Sequence, residues 1–303
     1  MLLSSALVLL FAASVSGEPY SNVAALFDLG MGARPLAMGG AFVGLADDGN
    51  ALLHNPAGLA WSDGFSVLSS VELRPSTASY GHVSACLRNL GVGMHYFDFG
   101  DVPETDEFGN VIGVFSYRNY GAIAGTGLSA ADLPLLSGMS LAHSFAFGLS
   151  VKLLVIDTAE PGDGNGFAMD LSLLLRLDEP HFGRPYLTRF TFGVLLENVL
   201  GVPITYESGH REEWEKKVAI GSSVEVANQV IASVQVTNMG TVHMGVEWSP
   251  VPTLAVRCGV KRDGVWMWSL GMGVTFGRFA FNYALVVHPV LNNQHRGSLT
   301  IDW

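Results

Sequence analysis

Between Trp268 and Val287 the side chains alternate with period two and then change parity across two residues. Trp268, Leu270, Met272, Val274 and Phe276 are large and apolar, and Ser269, Gly271, Gly273 and Thr275 between them are small. A period of two is the signature of a strand with one bulky face. After Gly277-Arg278 the bulky set resumes at Phe279, Phe281, Tyr283, Leu285 and Val287. A two-residue hairpin demands this switch, because residues opposite one another across such a turn differ by an odd number. Phe276 then faces Phe279, Val274 faces Phe281, and one face carries every large side chain. Gly at the first turn position suits a type II′ turn. The other face holds Gly, Ser, Thr, Ala and Asn282 and no charge, where a soluble sandwich would present charges to water. A wall between lipid and a crowded interior fits, which is an all-β transmembrane antiparallel barrel.

Composition agrees. The 303 residues include only 14% charged residues and 36 glycines, with a mean hydropathy of +0.34, against roughly 25% charge and about 7% glycine in an ordinary globular chain. No stretch after the N-terminus offers the roughly 18 consecutive apolar residues of a helical span. The net charge of −11 and the scattering of only 16 Lys and Arg exclude nucleic acid as a partner. Cys86 and Cys258 form no CxxC pair and signal neither metal nor disulfide framework. Residues 1–17 are uncharged, apolar from Ala6 to Ala13, and finish Val15-Ser16-Gly17 before Glu18. They read as a cleaved export signal, with a short anchor helix or buried strand as the alternative. At the other end Leu299, Ile301 and Trp303 alternate up to a terminal aromatic. Such an ending resembles the signal read by the barrel-assembly machinery.

Fourteen candidate strands follow: 64–73, 79–88, 90–98, 113–128, 138–156, 166–176, 188–197, 217–226, 230–237, 241–249, 253–261, 265–276, 279–287 and 296–303. The fifth is read as one long strand, since Leu141, His143, Phe145, Phe147, Leu149, Val151 and Leu153 keep one parity. Turns at Asn228-Gln229, Ser249 to Pro252 and Gly277-Arg278 are short, while 101–112, 157–165, 198–216 and 288–295 are longer and more polar. Short turns on one side and long loops on the other are the barrel asymmetry. Trp248, Trp266, Trp268, Tyr283 and Trp303 are placed near strand ends as an aromatic girdle, or as ordinary packing.

Between Ala24 and Ser62 the alternation stops. Gly30-Met31-Gly32-Ala33-Arg34-Pro35 leads into Met38-Gly39-Gly40-Ala41-Phe42-Val43-Gly44-Leu45-Ala46-Asp47-Asp48, then Asn55-Pro56-Ala57-Gly58-Leu59-Ala60. This run resembles the opening of the PorV/PorQ-type outer-membrane proteins, a branch of the FadL-like barrels. The likeness continues through Asp106 to Asn110, Gly166 to Leu171, Glu197 to Gly201, His243 to Glu247, and Tyr283 to Trp303, with Ala130 to Ser137 resembling an insertion. The resemblance implies a barrel of about fourteen strands in the outer membrane of a diderm bacterium, divided into a signal peptide (1–17), an N-terminal hatch in the lumen (18–62) and the barrel (63–303). Gly39, Gly40, Asp47, Asp48, Asn55, Pro56 and Gly58 are its hatch-motif positions. Their chemistry suits a plug: glycines allow close backbone packing, Asp47 and Asp48 can hold turns or caps, and Asn55-Pro56 stops a helix. The plug is either a gate or a permanent stopper.

Catalytic chemistry is not signalled. His143 and Ser144, adjacent on a strand, would point to opposite faces, and the other histidines show no HExxH or metal-ligand spacing. Residues 157–165 lack the order of a calcium loop, so no metal or cofactor is expected. Arg211 to Lys217 reads as a solvated loop or a short helix on the rim, within which Trp214 is a minor candidate for contact with a partner. Two functions stay open. One is a conduit for small hydrophobic molecules, suggested by the family likeness and by the small uncharged inward residues Ser269, Gly271, Gly273, Thr275, Ala280 and Ala284, since a general porin would show charged rings. The other is a non-transporting scaffold of a type IX-like secretion system, with partners held by the long loops. Outer-membrane lipid and the assembly machinery are partners under either.

Overall fold

The computed structural model describes residues 25–62, 64–73, 78–158, 162–179, 186–290 and 292–303. Residues 1–17, read above as an export signal, lie outside them.

Fourteen long antiparallel strands close into a barrel. They are β1 (Phe65–Leu73), β2 (Ser79–Leu87), β3 (Leu90–Thr105), β4 (Val111–Ser129), β5 (Phe145–Asp157), β6 (Gly164–Asp178), β7 (Leu187–Tyr206), β9 (Lys217–Val226), β10 (Val230–Thr237), β11 (Val242–Val251), β12 (Leu254–Asp263), β13 (Val265–Phe276), β14 (Phe279–Val287) and β15 (Gln294–Asp302), with a two-residue strand, β8 (Arg211–Glu212), on β7. Each pairs with its chain neighbour, except that β9 passes over β8 to pair with β7, and β1 pairs with β15 to shut the cylinder. No sheet edge is left within the closed part, as lipid requires.

The hairpin arithmetic holds residue for residue: Phe276 pairs with Phe279 and Val274 with Phe281. Trp268, Leu270, Met272 and Phe281 are exposed on the outside, Trp268 by 62%. Trp248, Trp266 and Trp303 share that face, but Tyr283 sits at mid-strand, its hydroxyl hydrogen-bonded with His295 Nδ1 at 2.7 Å, and not at a strand end. Leu299 and Ile301 pair with β1 on the same closing strand, and the Trp303 amide donates to the Phe65 carbonyl at 2.8 Å. A charge at the centre of this apolar face should cost about 2–4 kcal/mol. Leu270→Arg is therefore expected to lower the urea midpoint of the barrel in lipid vesicles, and Phe279→Arg at a strand end to lower it much less.

The strand reading needs three corrections. Residues 138–144 are not part of a long fifth strand; they continue the turns that begin at Ala130. Residues 130–144 form successive three-residue turns, with amides of Leu133, Leu136, Met139, Ala142 and Ser144 each donating three residues back. The parity of Leu141 and His143 with β5 is coincidental, and His143 lies on a 3₁₀ turn (Ala142–Ser144). The segment 101–112 is not a loop either. β3 and β4 continue as a ribbon beyond the ends of their pairing with β2 at Asp98 and with β5 at Arg118. At its tip the Asp106 carboxylate accepts from the Asn110 side chain and from the Asn110 and Phe108 amides, and these bonds hold it below the usual carboxylate range. Likewise β7 runs on to Tyr206, through a bulge at which Asn198 takes a left-handed conformation that Asn tolerates. The two ends differ less cleanly than expected, since the 15-residue connection 130–144 lies at the end of the short turns and the single residue Gly264 turns the chain at the other. Turns 88–89, 227–229, 252–253 and 277–278 close one end, together with the longer 130–144, and the connections 106–110, 238–241 and 288–293 lie at the other.

Candidate functional site

Residues 25–62 lie against the inward side chains of strands from all around the wall. The segment forms three short helices, α1 (Ala25–Asp28), α2 (Ala33–Ala37) and α3 (Ala51–His54), and a 3₁₀ helix (Pro56–Trp61). It meets the wall through backbone. Gly39 has φ +66°, and a Cβ there would stand 2.7 Å from the amide and carbonyl of Val260 and 2.8 Å from the Met244 carbonyl. Gly40, at φ +82°, faces the His243 ring in the same way. Wall glycines mirror them, with Gly271 against Ala37, Gly245 and Gly259 against Met38 and Gly39, and Gly148 against Ala57. This revises the reading of the small inward face. Gly271 and Ala284 are the seat of α2, packed on Ala33 and Ala37, and do not line an open conduit.

Wall side chains supply the partners that this exposed backbone needs. Gln235 Oε1 accepts from the amides of Phe42 and Val43, Ser233 donates to the Ala41 carbonyl at 2.7 Å, and Thr191 donates to the Gly44 carbonyl. Asn55 ties the second half of the segment to the first and to the wall. Its Nδ2 donates to the Val43 carbonyl at 2.7 Å and to Leu173, while its Oδ1 caps the 3₁₀ helix by accepting from Ala57. Pro56 opens that helix where an amide is not required, and Gly58 lies so close to the Ala46 carbonyl that no side chain fits.

Asp47 and Asp48 do more than hold turns. Both receive Arg34 Nη1, at 2.6 and 2.8 Å, while the same guanidinium binds Glu247 of β11 through Nε and Nη2 at 2.8 and 3.0 Å. Glu247 in turn accepts from Arg257 of β12, whose Nη1 donates to Asn282 of β14. Burial alone would lower the Arg34 pKa, but Asp47, Glu247 and Asp48 together raise it well above its ordinary value. A second clamp sits on β15. Arg296, 1% exposed, pairs with Glu72 of β1 and donates to the carbonyls of Leu29, Gly30 and Gly32, with Tyr80 also donating to Gly30. A third pair, Lys152 and Asp170, is buried beneath Phe27, and Asp170 also accepts from the Asn198 amide at the β7 bulge. The lumen thus holds internally paired charges that β13 and β14 alone do not show.

On one side of the segment a cavity of about 560 Å³ remains between residues 27–54 and the inner faces of β7 and β9–β15. It lies toward the end bearing the 238–241 and 288–293 connections. Leu29, Met31, Leu36, Leu53, Leu195 and Val286 give it apolar surface. His54 borders it too, held down at about pKa 4 by burial and so neutral at physiological pH. Trp214 is not free for a partner. It is buried with Phe27, and its Nε1 donates to the Val202 carbonyl, so the 207–216 loop folds back over the barrel mouth. Among the described residues no group of three or more His, Cys, Asp or Glu is arranged to hold a metal.

No family model and no curated protein matches the sequence. Solved structures do. The monoaromatic hydrocarbon channel CymD superposes with a TM-score of 0.59 at 11% identity, covering 91% of this chain and 98% of its own. The Pseudomonas putida toluene transporter TodX gives 0.55 at 13%, with 89% and 96% covered. A Pseudomonas aeruginosa FadL homologue gives 0.54 at 10%, with 94% and 99% covered. At these identities the likeness is one of fold: the chain has the closed fourteen-stranded barrel of FadL-like channels.

Proposed function

We propose that this protein is an outer-membrane channel of the PorV/PorQ-type branch, closed by its own N-terminal segment, that passes small hydrophobic molecules without energy input and without chemistry. The observation that carries this reading is the partly apolar 560 Å³ cavity between the segment and the wall, in a barrel whose outer face is a band of exposed apolar side chains. Neighbours of the same fold are described as hydrocarbon and toluene channels. The branch is supported by the motif, since Arg34, Asp47, Asp48, Asn55 and Gly58 are the residues whose contacts seat the segment. In this reading residues 1–17 export the chain, and Leu299, Ile301 and Trp303 present the closing strand to the assembly machinery. Short turns then face the periplasm and the β3–β4 ribbon projects outward.

That ribbon also favours a second reading. Phe108, Ile112 and Val114 on it are strongly exposed, as a secretion scaffold holding a protein would need. Extraction of the detergent-purified protein and mass spectrometry of what co-purifies separates the two. The channel reading expects a lipid-like molecule at near-stoichiometric amount, lost when residues 24–60 are deleted. An empty cavity with a protein partner retained on the ribbon would overturn it in favour of the scaffold.

A further inference from the structure

The charges around the cavity are not balanced in availability. Three cations border it, and each is already engaged. Lys217 Nζ lies 2.7 Å from both Asp28 oxygens, Lys261 lies 3.0 Å from Asp263, and Arg296 is held by Glu72, its cross-strand partner on the inner face. The carboxylates are not all so occupied. Glu197, an inward residue of β7, borders the cavity and has neither a hydrogen bond nor an ion pair, although Lys217 is its cross-strand partner, because that ammonium turns to Asp28 instead. Glu215, also on the cavity, has only a 3.5 Å contact with the same lysine.

His243 adds a second free acceptor. Its Nδ1 stands 2.7 Å from the Gly39 carbonyl, which can only accept, so Nδ1 carries the proton and Nε2 is left as a lone pair on a residue that borders the cavity. The cavity therefore combines apolar surface with two acceptors that have no partner and cations that are each already paired with a carboxylate. A carboxylate brought in here would approach Glu197, which is a like charge once it is ionised, in surroundings where screening is weak.

Building on the channel reading, we propose that the ligand of this cavity is an apolar molecule bearing a hydrogen-bond donor, a hydroxyl or an ammonium, and that carboxylate-headed amphiphiles are excluded by charge. Apolar surface at Leu29, Met31, Leu36 and Leu53 takes the hydrocarbon, and Glu197 with His243 Nε2 takes the donor.

The test is equilibrium binding of three radiolabelled probes of equal chain length to the detergent-solubilised full-length protein at pH 9, where the Glu197 carboxyl is ionised and decylamine is still an ammonium: decanol, decylamine and decanoate. Decylamine and decanol are expected to bind at least about tenfold more tightly than decanoate. Glu197→Gln, nearly isosteric, should weaken decylamine and strengthen decanoate, leaving decanol within about twofold. Decanoate binding as tightly as decanol to the wild-type protein would overturn the charge assignment and leave the channel reading intact. So would an E197Q variant that retains wild-type order among the probes. If none of the three binds, the channel reading itself fails, and this inference with it.

Discussion

Replacing Arg296 by methionine is expected to release the first half of the N-terminal segment from the wall while the barrel still closes. The guanidinium is almost wholly buried, and it binds Glu72 and the carbonyls of Leu29, Gly30 and Gly32 at once. Methionine matches its bulk but leaves three backbone acceptors and a carboxylate to find other partners. Removing one member of a buried ion pair typically costs about 3–5 kcal/mol, and here the cost falls on one side of the seam. The strands themselves keep their ladder hydrogen bonds. The measurable consequence is selective: limited proteolysis should cut within residues 25–36 in the variant and not in the wild type, and planar-bilayer recordings should show frequent openings. An unchanged cleavage pattern would mean that the clamp is dispensable.

The second large effect is expected at Gly39→Val. A β-branched side chain at φ +66° carries the left-handed penalty of about 1–2 kcal/mol, and overpacking adds about 1–3 kcal/mol. The atoms it would meet are backbone of Val260 and Met244 in two paired strands, which cannot swing aside as a side chain could. The α2 turn must then lift off β11 and β12. Gly109→Val separates the two contributions, since Gly109 has φ +82° at the ribbon tip with nothing near its missing Cβ. It should pay the conformational part alone and leave conductance as in the wild type. Equal behaviour of the two variants would show that the close approach at Gly39 is unimportant.

How much of this could be read from residues alone depends on whether the information is local. The alternation of Trp268 to Val287 and the Gly277-Arg278 parity switch define a hairpin within twenty residues, and its register came out as expected. The N-terminal motif was legible as a backbone-rich insert for a similar reason. What escaped was pairing across the barrel. Nothing near Arg34 indicates that Glu247 will meet it, 213 positions away, or that Arg296 will close on Glu72, 224 positions away. The small face of β13 and β14 looked like an uncharged conduit because the lumen charges stand on other strands. Lys152 did leave a signal, as a charge at an inward position of an otherwise apolar strand, and so did Asp170 inside the recognised Gly166 to Leu171 run. Residues 138–144 were misread as strand because two side chains of matching parity, Leu141 and His143, outweighed a three-residue spacing of apolar positions, Leu133, Leu136, Met139 and Ala142, that tracks the turns formed there. Trp214 was assigned to solvent because the charges around it are local, whereas its burial against Phe27 depends on the segment in the lumen.

The central claim is that a hydrophobic molecule enters the barrel and crosses with the N-terminal segment as the moving part. Initial uptake of radiolabelled decanol by whole cells of a Gram-negative host lacking its own hydrophobic channels tests it most directly, because the polar lipopolysaccharide layer there is the barrier that the barrel would bypass. With the protein shown to be in the outer membrane, expression should raise the initial rate several-fold over empty cells, and Arg296→Met should change it further. A rate equal to that of empty cells would contradict the account.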